Sequence, residues 1–86
     1  MSQSSFTLSK HASKKIAERH IAQDWIERVL AVPAQVEPDK RDPALRLASA
    51  PIAERDGRVL CVVYNVQRVP PHVVTVFFQR KWRGRL

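Results

Sequence analysis

The chain has 86 residues, 44% of them hydrophobic and 27% charged, a composition that supports one small globular domain spanning residues 1–86. It excludes a disordered or collagen-like chain, and no apolar run nears the roughly 20 residues a membrane-spanning helix needs. Lys and Arg number 15 against 8 Asp and Glu, and the resulting net charge of +7 favours capture of polyanions.

Residues 1–4 are small and polar and read as a frayed tail. In Ser5-Phe6-Thr7-Leu8 the apolar residues alternate, as in a short edge strand. Ser9 is placed to N-cap a weakly hydrophobic helix over Lys10–His20, with Ala12 and Ile16 on one stripe and Arg19 and His20 completing it. A second helix opens at Gln23 or Asp24 and runs to Ala31, and Pro33 ends it. Its Trp25, Ile26, Val29 and Leu30 share a buried face, while Glu27 and Arg28 point outward.

Gln35-Val36-Glu37 follows as a short strand, and then a charged loop bounded by Pro38 and Pro43. From Ala44 the pattern alternates, with Leu45 and Leu47 on one face and Arg46 and Ala48 on the other. Pro51 marks this strand as an edge, a bend or an end. Asp56-Gly57 signals a hairpin into Val59–Val66, an almost continuously apolar run that suits the central strand. After a turn holding Pro70 and Pro71, Val73–Phe78 forms the last strand. The expected fold class is α+β: two N-terminal helices packed on an antiparallel sheet of three to four strands.

Cys61 is the single cysteine, so neither a disulfide framework nor a cysteine zinc site is available, and among valines it reads as a small buried hydrophobe. His11, His20 and His72 lack metal-ligand spacing, so neither a metal nor another cofactor is expected. Two glycines leave little room for a glycine-rich phosphate loop. The N-terminus carries no secretory pattern, which with one free thiol suggests a cytoplasmic protein.

Positive charge concentrates at the two ends. Gln79–Leu86 holds Arg80, Lys81, Arg83 and Arg85 without an acid, and Lys10–His20 holds Lys10, Lys14, Lys15 and Arg19 against Glu18. Brought onto one face, the two clusters would make a nucleic-acid footprint. At helical spacing His11, Lys14, Lys15 and Glu18 share a face. A histidine beside ammonium groups suits metal-free phosphodiester cleavage, in which one group moves a proton and cations hold the charged phosphorane. The same spacing equally suits salt bridges from Lys14 and Lys15 to Glu18. Arg46 would line the open face of the sheet if the helices covered the leucine face. In the basic tail Trp82, between Lys81 and Arg83, is placed either to stack on an RNA base or to close the core. Tyr64 suits core and site equally, and His20 suits packing or capping.

The segment Phe6-Thr7-Leu8-Ser9-Lys10-His11-Ala12, continuing through Lys15, Ile16, Arg19, His20 and Ile21, resembles the His-Ala-x-x-Arg-Met-x-x-Arg-x-Ile opening of a widespread bacterial domain family of unknown function. That family looks related to the BrnT toxins and, more remotely, to the RelE/ParE superfamily of toxin–antitoxin ribonucleases. The run Gly57–Tyr64 and the closing Val73–Val76 are similar in kind, and the resemblance spans roughly residues 6–80. It implies a small microbial-ribonuclease-like fold, a prokaryotic origin and, in the toxin branch, an acidic antitoxin partner. His11 and Arg19 fall on the family's characteristic positions, whereas Lys15 stands where an arginine is usual and lacks its bidentate fork. The reading that follows is an RNA-binding RelE-like domain without a membrane association, possessing metal-independent endoribonuclease potential. Its catalytic set is His11, Lys15 and Arg19. Arg46, Arg80, Lys81, Trp82 and Arg83 would bind the nucleic acid. The rival is a non-catalytic protein-interaction module of the same fold.

Overall fold

A computed structural model describes residues 6–79. The architecture is α+β: β1 (Thr7–Leu8), α1 (Lys10–Arg19), α2 (Gln23–Ala31), β2 (Gln35–Pro38), β3 (Leu45–Ile52), a 3-10 turn (Ala53–Arg55), β4 (Arg58–Asn65) and β5 (His72–Gln79). The expected tail at residues 1–4 lies outside the described residues. No helix among the described residues is long and apolar enough to cross a membrane.

The sheet has five strands in the order β1-β5-β4-β3-β2. Strands β2 to β5 form the expected antiparallel meander, but β1 joins β5 in parallel, so the sheet is mixed rather than antiparallel throughout. The parallel pair is two residues long, Thr7 with His72 and Leu8 with Val73. Its partners lie 65 positions apart in the chain, beyond the reach of any local pattern. The Thr7 hydroxyl and His72 Nδ1 are 2.7 Å apart across this pair, a partner that His72 did not reveal in sequence.

Ser9 fixes how α1 leaves the sheet. Its Oγ accepts the Ala12 amide at 3.0 Å, as an N-cap should, and donates to the Val74 carbonyl at 2.8 Å. One hydroxyl therefore starts the helix and moors it to β5. At the other end His20 takes the left-handed conformation, φ 54°, and its amide bonds to the Ile16 carbonyl. His20 is thus a cap, exposed to solvent.

The core lies between the helices and one face of the sheet. Ala12, Ile21, Ile26 and Val29 pack with Ala48, Ile52, Leu60, Val62, Val73 and Val76, and Trp25, Leu30, Tyr64 and Phe78 close around them. Tyr64 therefore belongs to the wall of the core. The helices cover the Ala48 face of β3, not the leucine face. Small side chains at Ala48 and Ala50 let a helix approach the strand, so Leu45 and Leu47 are turned to the opposite side.

Pro51 does not make β3 an edge strand. β3 lies between β2 and β4, but β2 reaches only Arg46–Ser49, so Pro51 sits beyond it and its missing N–H interrupts no ladder. On the face away from the helices, Val59 and Cys61 are fully buried. Burial, with a smaller contribution from Glu37, pushes the Cys61 thiol up to about 12, so at neutral pH it is a protonated, unreactive group.

Candidate functional site

Residues four apart on a helix lie one above another, about 6 Å apart along the axis. His11, Lys15 and Arg19 form such a row on α1. They make one wall of a cleft of about 500 Å³. Arg55 of the β3–β4 connection, Arg58 at the start of β4 and Thr75, Val76, Phe77 and Phe78 of β5 also line it.

The connection is tight because two successive residues accept positive φ, Asp56 at 56° and Gly57 at 76°. It leaves the two arginines on either side of the turn in one cleft. The guanidinium of Arg55 is fixed from several directions. Its Nη2 donates to the carbonyls of Arg19 at 2.9 Å and His20 at 3.0 Å, groups that the end of α1 leaves without helical partners. Its Cζ lies 5.4 Å from the ring centres of both Trp25 and Phe78, which meet edge to face at 6.5 Å. Arg55 thus joins α1, α2 and β5 at one point.

A second arginine sorts the neighbouring charges. Arg28 of α2 bonds Asp24 at 2.7 Å and grips both oxygens of Glu54, at 3.0 and 2.6 Å. The hydrogen bonds from Arg28 lower the Glu54 carboxyl to about 2. Glu54 is therefore engaged on the α2 side, although it adjoins Arg55 in sequence. Among the described residues no carboxylate lines the cleft, and neither ion pair formed among them involves its cations. Four cationic side chains and a histidine around one depression, without a counter-charge from any described residue in its wall, produce a focused positive potential.

The expected triplet His11, Lys15 and Arg19 is brought together. Lys14 and Glu18 do not line the cleft, and neither Lys14 nor Lys15 makes a salt bridge to Glu18. Arg46 stands apart. It pairs with Tyr64 on the helix side of the sheet, and its Nη1 turns back to the carbonyls of Pro43 and Leu45 at 3.2 and 3.3 Å. The helices cover the alanine side, so the condition that would have put Arg46 on the open face is not met. Arg80, Lys81, Trp82 and Arg83 lie outside the described residues. Sequence reasoning missed Arg55, Arg58, Thr75 and Phe77. The available signal was the pair of arginines bracketing Asp56-Gly57, since a tight turn must bring its flanks together.

Residues 8–78 match the family described as Domain of unknown function (DUF4258). The chain belongs to that family. The DUF4258 match includes every residue lining the cleft, from His11 to Phe78, and stops short of the basic tail. No curated protein and no solved structure matches the chain. The cleft of this DUF4258 domain has the equipment to bind an anion through four cations, of which Arg55 is held in place, and to offer one imidazole for proton transfer beside it.

Proposed function

We propose that the cleft binds the phosphodiester backbone of RNA and that the protein is a RelE-like domain with metal-independent endoribonuclease activity. The observation that carries this reading is the convergence of His11, Lys15, Arg19, Arg55 and Arg58 on one depression whose wall holds no carboxylate among the described residues. Lys15, Arg19 and Arg58 are the phosphate ligands, and Arg55, held by its carbonyls and rings, contributes a fixed positive charge. The likeness of the His11–Ile21 segment to a family related to BrnT toxins supports the same assignment. In that setting RNA is the cytoplasmic substrate and an acidic antitoxin is the partner that would cover the cleft.

The proposed chemistry uses the substrate's own nucleophile. His11 removes the proton of a 2′-hydroxyl, and the 2′-oxygen attacks the adjacent phosphorus. Lys15 and Arg19 stabilise the additional negative charge on the phosphorane. The bond from phosphorus to the 5′-oxygen then breaks, and the departing oxygen is protonated from solvent. The products are a 2′,3′-cyclic phosphate and a 5′-hydroxyl end.

The test is incubation of the purified protein with single-stranded RNA in EDTA across pH 5–9, with end-group analysis of the fragments. Cyclic phosphate ends that disappear in His11→Ala support the assignment. Intact RNA at every pH, alongside tight salt-dependent binding, removes the enzyme and leaves a binding domain. No RNA binding, with capture of an acidic protein, favours the interaction module.

A further inference from the structure

Thr75 and Phe77 belong to two depressions at once. Besides the cationic cleft they line a trough of about 390 Å³ with Leu45, Leu47, Val63 and Val74. Phe77 is 37% exposed, and the other large hydrophobics exposed among the described residues are all valines. Its neighbour Phe78 is already occupied by Trp25 and Arg55, whereas no ring or cation among the described residues stacks on Phe77. The register places Phe77 opposite Cys61, on the side of the sheet away from the helices.

The two depressions differ in chemistry. One wall is cationic. The trough is apolar, and its far rim carries Asp39 and Asp42 with Arg41, a net negative charge. Asp39 Oδ2 accepts the amides of Arg41 and Asp42 at 2.9 and 2.8 Å, and Asp42 Oδ1 accepts that of Ala44 at 2.9 Å, which fixes both carboxylates in the loop. A phosphate is attracted to the first depression and repelled from the rim of the second. A flat apolar group has the reverse preference.

A single strand of nucleic acid has this same division, with phosphates along one edge and free base faces along the other. A duplex hides its base faces in the stack. We infer that the cleft and trough together form a site for single-stranded RNA, in which phosphates lie against Lys15, Arg19 and Arg58 and an unstacked base lies on Phe77. This rests on the RNA reading above and adds the form of the substrate and the residue that selects it. Base stacking on an aromatic ring tolerates any sequence, so the selection is for strandedness rather than for a particular base.

The probes are a fluorescent oligouridylate, an abasic phosphodiester strand of equal length and charge, and an RNA duplex, followed by anisotropy at low and moderate salt. The oligouridylate is expected to bind about tenfold more tightly than the abasic strand. Phe77→Ala removes that advantage and leaves abasic binding unchanged, and Phe77→Leu, which keeps apolar bulk on the strand, does the same with an unchanged melting temperature. Arg58→Ala weakens both strands together. Equal affinity of the parent for oligouridylate and abasic strand, preference for the duplex, or an equal loss for both strands in the Phe77 variants overturns the stacking site while polyanion binding stands. Binding of no strand even at low salt overturns the RNA reading itself.

Discussion

Replacing Arg55 by alanine tests whether the cleft is held in shape by the residue that charges it. The substitution removes two hydrogen bonds to the carbonyls of Arg19 and His20 and the contacts of the guanidinium with Trp25 and Phe78, each 5.4 Å from ring centre to Cζ. A cation over a ring at a partly exposed site contributes about 0.5–1 kcal/mol. Donation by a cation to the last carbonyls of a helix adds about 1 kcal/mol once solvent exposure is allowed for. Arg55→Ala should therefore cost about 2–3 kcal/mol, which for a domain of this size lowers the melting temperature by about 10–20 °C. Arg55→Lys keeps the charge but loses the planar fork and should fall about midway. Thermal melting followed by circular dichroism measures both. If Arg55→Ala melts within 3 °C of the parent, the guanidinium is not a structural tie and the cleft's geometry must be maintained elsewhere.

Arg58 offers the contrast, since its side chain lines the cleft without a hydrogen bond or ion pair among the described residues. Arg58→Ala should leave the melting temperature within about 2 °C of the parent, while the slope of log affinity for RNA against log salt concentration falls by about one. His20 adopts φ 54°, so His20→Gly relieves a left-handed backbone and should stabilise the fold by up to about 1 kcal/mol, read from a denaturant midpoint with an unchanged slope. For Glu54, whose carboxyl is lowered from 4.5 to about 2, the bond to Arg28 stabilises the folded state above pH 4.5 and is lost as pH falls toward 2. The difference in melting temperature between the parent and Glu54→Gln should accordingly be constant at neutral pH and shrink below pH 4.5; a difference that persists at pH 2 would contradict the assignment.

Much of the architecture was legible because it is written in short-range pattern. Ser9 announces α1, the Trp25–Leu30 stripe announces α2, and the apolar run after Asp56-Gly57 announces the central strand. The pairing of Thr7 and Leu8 with β5 was not legible, since two residues carry no periodicity and their partners stand at the far end of the chain. Which face of β3 the helices cover was left open for a physical reason as well. Leucines suggest a core, but here the helices approach over Ala48 and Ala50, and the larger residues remain on the other side. In the candidate site, helical spacing put His11 and Lys15 on one face with Lys14 and Glu18, and only the family resemblance added Arg19, so the helix wall was readable in part. Arg55 and Arg58 were not, because the middle of the chain looks electrically neutral when its charges are added along the sequence.

That neutrality is undone in three dimensions by the 3-10 turn. Along the chain Glu54, Arg55, Asp56 and Arg58 alternate in sign and invite mutual cancellation. In the fold, Glu54 is taken by Arg28 from α2, while Arg55 is drawn to the end of α1 and between two rings. Each charge is claimed by a different helix, so an acid and a base adjacent in sequence do not neutralise one another. The Arg28–Glu54 pair then has a role beyond its own modest surface energy: it keeps a carboxylate engaged away from the cationic cleft. Arg28→Ala releases Glu54 while leaving every cleft residue in place. It should therefore weaken polyanion binding, whereas the double substitution Arg28→Ala with Glu54→Gln should restore it. RNA binding unchanged in the single variant would mean that the cleft does not depend on where Glu54 is held.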